Sequence, residues 1–293
     1  MLYMMIGKSK VKRLDQSLIR LLTLKKGEKM KKFSVVLVFI MLLSFTSAAF
    51  AGSAIDKIVK RGELIIGTSG DYPPLTAKAK DGKLMGLDID LGMLIADVME
   101  VKPKIVQMPF AELLPSLQSG KIDMIISAMT IVPKRNLKVA FIGPYFISGQ
   151  SVMATKMTAM SIENMNDINK PDFVLAVPGG TTSELIAKKN VPKAQIRIAK
   201  DMNEAVKMLL DGKVKAVMSD TAACAVETVR YKEKNIVSTP PLTFEPIGIA
   251  IAENDPLFSN FLSNFLSGMR GSGDLEMITN KWFKDTSWIK DLQ

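Results

Sequence analysis

The chain has 293 residues, of which 47% are hydrophobic, and it contains no histidine. A chain of this length can bury a substantial core and is long enough for two lobes. The lack of histidine excludes serine–histidine and cysteine–histidine catalytic sites and removes the commonest transition-metal ligand.

The formal charge of +10 is concentrated at the N-terminus. Residues 1–51 contain ten Lys/Arg and two Asp/Glu, which leaves 29 Lys/Arg and 27 Asp/Glu for the rest of the chain. The rest is therefore nearly neutral, and it has no basic block with interleaved aromatic residues. This composition argues against a nucleic-acid partner.

The N-terminal segment has the pattern of a secretory signal. Lys31 and Lys32 precede an apolar run at 33–43, and small residues end in Ala49-Phe50-Ala51. We therefore expect export to the periplasm and cleavage after Ala51. Residues 1–29 form an N-terminal extension that reads either as an overlong n-region of the signal or as a misplaced start, and Met30 is the favoured initiator. An uncleaved membrane anchor over 33–51 is the alternative.

Beyond the signal, strand-like and helix-like runs alternate, which predicts an α/β fold. The first series comprises 64–68, 91–99, 105–108, 112–119 and 124–127. The second comprises 152–154, 173–177, 183–189, 195–198, 202–210, 214–218 and 222–231. Cys224, the only cysteine, falls in the last run, where we expect a small apolar core residue and no disulfide.

The two series contain similar segments. "LQSGKIDMIIS" at 117–127 and "LLDGKVKAVMS" at 209–219 both read as a helix end, a glycine, a lysine and an apolar strand that stops at serine. Each glycine suits the position after a helix end. Ala128, Thr130 and Arg135 follow the first segment, and Asp220 follows the second.

Ligands of open α/β sheets bind beyond the carboxyl ends of the strands. A cation and an anion at matching strand ends would suit a zwitterion, provided that the two lobes face each other. The segment "LAVPGGTTSEL" at 175–185 adds a strand, a Gly-Gly turn and a helix start that Thr182 or Ser183 could cap. Such a helix start offers free N–H groups to an anion.

Together, several motifs identify a family. The segments "GDYPPLTAKAKDGKLMGLDIDL", "LLPSLQSGKIDMIISAMTIVPKR", "VAFIGPYF", "PGGTT", "DGKVKAVMSDT" and "ITNKWF" span about residues 53–285. The sequence resembles the bacterial solute-binding proteins of polar amino-acid ABC importers, extracellular solute-binding protein family 3. The resemblance implies a type II periplasmic binding protein fold, with two α/β lobes joined by a two-stranded hinge. Lobe one would be 52–148 with 247–293, and lobe two 149–246.

The resemblance also implies a ligand site. Arg135 would hold the ligand α-carboxylate with the backbone N–H of Thr182, because a guanidinium offers paired donors. Asp220 would take the α-ammonium. The Thr130 hydroxyl and the Ala128 carbonyl would be further contacts for the ligand. Tyr72 and Phe110 would form the walls around its side chain.

Two positions depart from the family pattern. Val132 stands where threonine is usual, which weakens one polar contact. Ser69 stands where binders of basic or amide side chains often carry aspartate, which disfavours arginine, lysine, histidine and glutamine as ligands. Asp71 could substitute, but we expect it to face solvent in the turn before Tyr72. We also expect Asp90 to cap a helix that starts at Leu91.

The resemblance implies a monomeric periplasmic binding component that delivers an amino acid to a membrane permease, with no catalysis, cofactor or metal. The alternative is a cyclohexadienyl (prephenate or arogenate) dehydratase on the same scaffold, which would need a general acid near the leaving hydroxyl. A third class, the sensing domain of a receptor, is disfavoured because nothing resembling a kinase or a second membrane span follows Gln293.

Overall fold

The computed structural model describes residues 53–253 and 255–293. The predicted signal and its cleavage site after Ala51 lie outside these residues. Within the described ranges, no helix combines the length and the apolar character that crossing a bilayer would require.

The first sheet has five strands, β1 Glu63–Thr68, β5 Lys102–Gln107, β6 Met124–Ile125, β7 Ala140–Ser148 and β13 Glu245–Ile251. Their order in the sheet is β5-β1-β6-β13-β7. Strands β5, β1 and β6 are parallel, and β13 is antiparallel to both β6 and β7. A small antiparallel sheet precedes the second long helix, with strands β2 Asp71–Tyr72, β3 Thr76–Lys78 and β4 Leu84–Met85.

The helices around the first sheet come from both ends of the described chain. They are α1 Ala54–Arg61, α2 Leu87–Val98, α3 Phe110–Gln118, the short α4 Pro133–Asn136, α10 Pro256–Ser272 and α11 Asp274–Phe283. The main apolar core combines residues from 58–145 with residues from 247–282. Two distant parts of the sequence therefore build one packed unit.

The second sheet repeats the pattern with strands β8 Gln150–Thr155, β9 Val174–Pro178, β10 Gln195–Ala199, β11 Ala216–Asp220 and β12 Ile236–Ser238. Their order in the sheet is β10-β9-β11-β8-β12. Strands β10, β9 and β11 are parallel, and β8 runs against β11. The helices are α5 Lys156–Ala159, α6 Met165–Ile168, α7 Thr182–Asn190, α8 Met202–Leu210 and α9 Thr221–Arg230.

The chain passes between the sheets twice, and the two passages are adjacent. It leaves the first sheet after Ser148 and enters the second at Gln150. It returns on β13, whose first residue, Glu245, pairs with Ser148. The cores beside the second sheet draw their buried residues from 152–236. Tyr72 packs against a core of each sheet.

The predicted fold class is confirmed, because two similar α/β sheets are each flanked by helices. Gly120 and Gly212, which follow the ends of α3 and α8, have φ angles of 71° and 69°. Glycine adopts this left-handed conformation without strain, which is why it is common just after the end of a helix. Cys224 is a buried free thiol in α9, as expected.

The predicted role of Asp90 is wrong. Helix α2 begins at Leu87, so Asp90 lies inside its first turn. Its Oδ2 accepts hydrogen bonds from Lys281 Nζ and Trp282 Nε1, each at 2.7 Å. Asp90 therefore attaches the C-terminal helix α11 to α2. The prediction placed the start of the helix at Leu91, where the apolar run begins. Leu87 and Ile89 lie before that run, but they are also buried and belong to the helix.

Candidate functional site

The structure brings all eight predicted site residues to the wall of one chamber between the sheets. These residues are Ser69, Tyr72, Phe110, Ala128, Thr130, Arg135, Thr182 and Asp220. Most of them follow the carboxyl ends of parallel strands, where α/β folds place ligands. Their role in binding stays a prediction, but their convergence from separate segments is a property of the fold.

The chamber is nearly closed. Its space is about 460 Å³ including the opening to solvent, but only about 20 Å³ admits the centre of a water-sized sphere. Small-molecule sites commonly enclose about 300–1,000 Å³. The walls must therefore separate before a ligand the size of an amino acid can enter.

Arg135 lies in the short helix α4 and lines the chamber. It is buried, with only 6% of the residue exposed. Its Nη1 donates to the carbonyl of Thr130 at 3.0 Å, and its Nη2 donates to the carbonyl of Gly180 at 3.2 Å. The guanidinium carbon lies 5.4 Å from the centre of the Phe110 ring. These contacts fix the plane of the guanidinium beside the chamber.

Burial lowers the pKa of Arg135 to about 10, although the nearby carboxylate of Glu245 opposes this shift. The side chain is thus still protonated at neutral pH. A fixed, positively charged fork with spare N–H groups can hold a carboxylate by two parallel hydrogen bonds.

Asp220 ends β11 and caps α9, so its side chain is fixed by the start of a helix. Its Oδ1 accepts hydrogen bonds from Ser148 Oγ and from the backbone N–H of Ala222, the latter at 2.9 Å. Burial raises its pKa to about 7, and the charge of Glu245 adds to this effect. A ligand ammonium would offset both causes and favour the ionised form.

Ala128 has a φ angle of 49°, a left-handed conformation that is uncommon for alanine. Its N–H donates to Asp88 Oδ2 at 2.7 Å, and Tyr145 donates its hydroxyl to Asp88 Oδ1 at 2.7 Å. Asp88 is itself buried, which raises its pKa to about 7. The bond to Asp88 holds the turn after β6 in the shape that places Ala128 and Thr130 at the chamber.

Glu245 is a site residue that the sequence analysis missed. The residue is only 3% exposed, and its Oε2 accepts hydrogen bonds from Thr130 Oγ1 at 2.8 Å and Thr182 Oγ1 at 2.7 Å. The protons of both hydroxyls point to Glu245, so each oxygen can only accept from a ligand. Acceptors at this point suit an ammonium group.

The structure also corrects the predicted helix cap beside Thr182. Helix α7 is capped by Thr181, whose hydroxyl oxygen accepts from the N–H of Glu184. Thr182 is the first residue of the helix, so its own N–H is one of those without an intrahelical acceptor. It is available to an anion, as the sequence analysis expected.

Tyr72 connects the two sheets across the chamber. Its hydroxyl hydrogen-bonds with Ser219 Oγ and accepts from the N–H of Asp220 at 2.9 Å. Burial, followed by the charge of Asp220, raises the pKa of Tyr72 well above its ordinary range. The side chain is therefore a neutral wall that also holds the structure closed.

Asp71 does not face solvent as the sequence analysis expected. It lines the chamber, and its Oδ2 accepts from the N–H of Met202 at 3.4 Å. Its Oδ1 is buried and has no hydrogen-bond partner among the described residues. The turn signal was misleading because helix α8, from the other sheet, covers this position.

Gln150 is the second residue that was missed. It is almost fully buried, lines the chamber and donates from Nε2 to Thr182 Oγ1 at 3.3 Å. Its Oε1 has no partner within the described part of the chain. A long polar side chain at the start of a strand whose centre is apolar was a signal that could have identified it. The ranges 53–253 and 255–293 contain no group of three His, Cys, Asp or Glu side chains suited to a metal ion.

Comparisons with known proteins agree with this fold. The family model of the bacterial extracellular solute-binding proteins, family 3, matches residues 64–285. The ABC transporter glutamine-binding protein GlnH of Bacillus subtilis (strain 168) is 31% identical over 210 residues, which cover 70% of this chain and 74% of that protein.

Two solved structures are also similar. An ancestral amino acid-binding protein, a precursor of cyclohexadienyl dehydratase, is 39% identical with a TM-score of 0.73, covering 79% of this chain and 100% of that one. A protein of Wolinella succinogenes DSM 1740, designated a binding component of an ABC transporter and solved with lysine, is 34% identical with a TM-score of 0.75. There the match covers 78% of this chain and 99% of that one. This chain belongs to the bacterial extracellular solute-binding proteins, family 3.

Proposed function

We propose that this protein is the periplasmic substrate-binding component of an amino-acid ABC transporter, which captures an amino acid and delivers it to a membrane permease. One observation carries the proposal: Arg135 and Asp220, buried and of opposite charge, come from different sheets to the wall of one chamber. Relatives named for binding glutamine and solved with lysine support the same ligand class.

In this function, each end of the ligand backbone meets matched groups. Arg135 and the N–H of Thr182 hold the α-carboxylate. Asp220 takes the α-ammonium, with the Thr130 hydroxyl oxygen and the Ala128 carbonyl as further acceptors. Phe110 and Tyr72 enclose the side chain, and Ser69 lies beside them. No covalent bond forms or breaks, and no cofactor is used.

Capture requires motion, since the chamber is nearly closed. We propose that the units around the two sheets act as lobes, 52–148 with 247–293 and 149–246, joined by the paired strands near Ser148 and Glu245. Two adjacent passages of chain form a hinge that rotates easily about one axis. Opening would break the bonds of Tyr72 to Ser219 and Asp220.

Export would place the protein where the permease can meet it. The segment that ends at Ala49-Phe50-Ala51 supports cleavage after Ala51 and release into the periplasm as a monomer. N-terminal sequencing of periplasmic material should begin at Gly52. Membrane-bound protein that retains Met30 would contradict release.

A dehydratase on this scaffold is the second candidate, and the similarity to a dehydratase precursor favours testing it. Asp220 is the candidate proton donor, because its pKa of about 7 keeps part of the population protonated. However, its Oδ1 accepts hydrogen bonds from Ser148 and from the backbone N–H of Ala222, so its position is fixed by the protein. A ligand ammonium would add a compensating charge and lower its pKa, which favours pairing with an amino acid over proton donation.

One screen separates the two candidates. The protein, purified under denaturing conditions and refolded to remove bound ligand, is heated with each amino acid and with prephenate. A ligand well above its Kd raises the Tm. We expect an amino acid to raise the Tm and prephenate to remain unchanged on incubation. Conversion of prephenate would favour the enzyme, and the lack of a shift with any amino acid would reject the proposed function.

A further inference from the structure

The chamber has two chemically different ends. On one side it adjoins a wider recess with a volume of about 300 Å³. Chamber and recess share Ser69, Asp71, Phe110, Lys200 and Asp201. Arg135 and Asp220 line the chamber only. A ligand whose backbone is held by Arg135 and Asp220 therefore extends its side chain toward the shared residues, where there is room for a long chain.

The shared end contains an unmet hydrogen-bond acceptor. Asp71 Oδ1 is buried and has no partner among the described residues, whereas Oδ2 accepts from the N–H of Met202. Burial is the largest cause that raises the pKa of Asp71, and the charge of Asp201 raises it further. A buried carboxylate oxygen without a donor is costly, and a donor from the ligand would remove that cost.

The charge balance of the wall points to the same kind of ligand. Three carboxylates, Asp71, Asp201 and Asp220, and two cations, Arg135 and Lys200, line the chamber. Glu245 adds a buried carboxylate directly behind it. Lys200 is exposed, so water screens its charge more than those of the buried groups. The net charge of the site is therefore negative, and a zwitterion with a neutral side chain would leave this net charge unchanged.

We propose that the ligand is a basic L-amino acid of the arginine and lysine class, with its side-chain cation bound to Asp71 Oδ1. The inference rests on the proposed function, since it assumes that Arg135 and Asp220 hold the ligand backbone. The inference reverses the expectation, based on Ser69, that basic amino acids are disfavoured as ligands. Asp71, two residues later, supplies the carboxylate that such binders often carry at the position of Ser69. Ser69 and Asp71 both line the chamber and the recess.

Calorimetry with matched ligands tests the inference at neutral pH. L-arginine is compared with L-citrulline, and L-lysine with L-norleucine, so that each pair differs mainly in the side-chain cation. A hydrogen bond to a charged group changes affinity by about 10- to 100-fold, and we expect the cationic ligands to bind more tightly by that factor. Asp71→Asn should lower the affinity for L-arginine similarly and leave that for L-citrulline within about threefold.

Asp81→Asn is the matched control, because it removes the same charge at an exposed turn outside the chamber. It should leave the affinity for L-arginine unchanged. If L-citrulline and L-norleucine bind the wild-type protein within about threefold of their cationic counterparts, the inference is wrong and the proposed function survives. The ligand comparison uses the wild-type protein alone, so it tests the inference even if Asp71→Asn misfolds. If no amino acid binds at all, the proposed function fails and the inference with it.

Discussion

Replacing Arg135 by alanine should remove most of the affinity for an amino acid. Arg135 is 6% exposed, and its guanidinium is fixed by the carbonyls of Thr130 and Gly180. Truncating one partner of such a buried charge pair costs about 2–5 kcal/mol, much of it because the other charge is left unpaired. At about 1.4 kcal/mol per factor of ten, the Kd should rise by roughly 30-fold to several thousandfold.

Two further variants separate charge from geometry. Arg135→Lys keeps the charge but loses the two parallel donors and the planar contact with Phe110, so most of the loss should persist. Asp220→Asn keeps the shape of the side chain but removes the charge that meets the ammonium. It should weaken an amino acid more than the matching hydroxy acid, whereas Arg135→Ala should weaken both.

The assay is calorimetry with the amino acid that gives the largest Tm shift in the screen. Lys134→Ala is the control, because this neighbouring cation is exposed. Arg135 also joins Gly180 of the second sheet, so each variant is checked by circular dichroism and thermal melting before its affinity is interpreted. If Asp220→Asn bound the amino acid within about threefold of the wild type, the zwitterion geometry would be refuted.

Three other predictions concern pH, strain and motion. Burial raises the pKa of Asp88 and Asp220 to about 7 from 3.8, so the folded protein binds more protons than the unfolded chain in this interval. The ligand-free protein should thus lose stability as pH rises from about 4 to about 7. Its affinity for an amino acid should rise over the same interval, because Asp220 becomes ionised and can pair with the ammonium. Thermal melts and calorimetry that show no change with pH would contradict both expectations. Ala128→Gly should raise the free energy of unfolding by up to about 1 kcal/mol in urea titrations, because glycine adopts a positive φ without strain, and Ala128→Val should lower it. Small-angle scattering of ligand-free and saturated protein should show a smaller radius of gyration on binding, whereas equal values would indicate a cleft that does not open.

The sequence was sufficient for the fold because the signals that determine it are local. The glycines at 120 and 212 follow helix ends, and the apolar strands after them have the expected extent to within a few residues. The site could be located for a related reason. Residues at the carboxyl ends of parallel strands meet at one edge, so Arg135 and Asp220 could be placed near the ends of two matching strands, and the family resemblance supplied their roles.

The errors at Asp71 and Asp90 have a common physical cause, since both residues make a contact with a distant segment. Asp71 looks like a solvated turn residue until helix α8 of the other sheet covers it, through Met202. Asp90 looks like a helix cap until Trp282 and Lys281 donate to it. When the neighbouring sequence of a carboxylate is polar, it does not reveal which distant segment will bury that carboxylate.

Glu245 shows how such a distant contact affects the site. It lies on the strand that returns to the first sheet, paired with Ser148, so its position is set by the two passages between the sheets. From there it accepts from Thr130, which follows a strand of the first sheet, and from Thr182, which follows a strand of the second. Its charge raises the pKa of both Arg135 and Asp220, which keeps the guanidinium protonated and makes the carboxylate harder to ionise without a ligand. One buried carboxylate thereby links the passages between the sheets to the charge state of the groups that would bind a zwitterion.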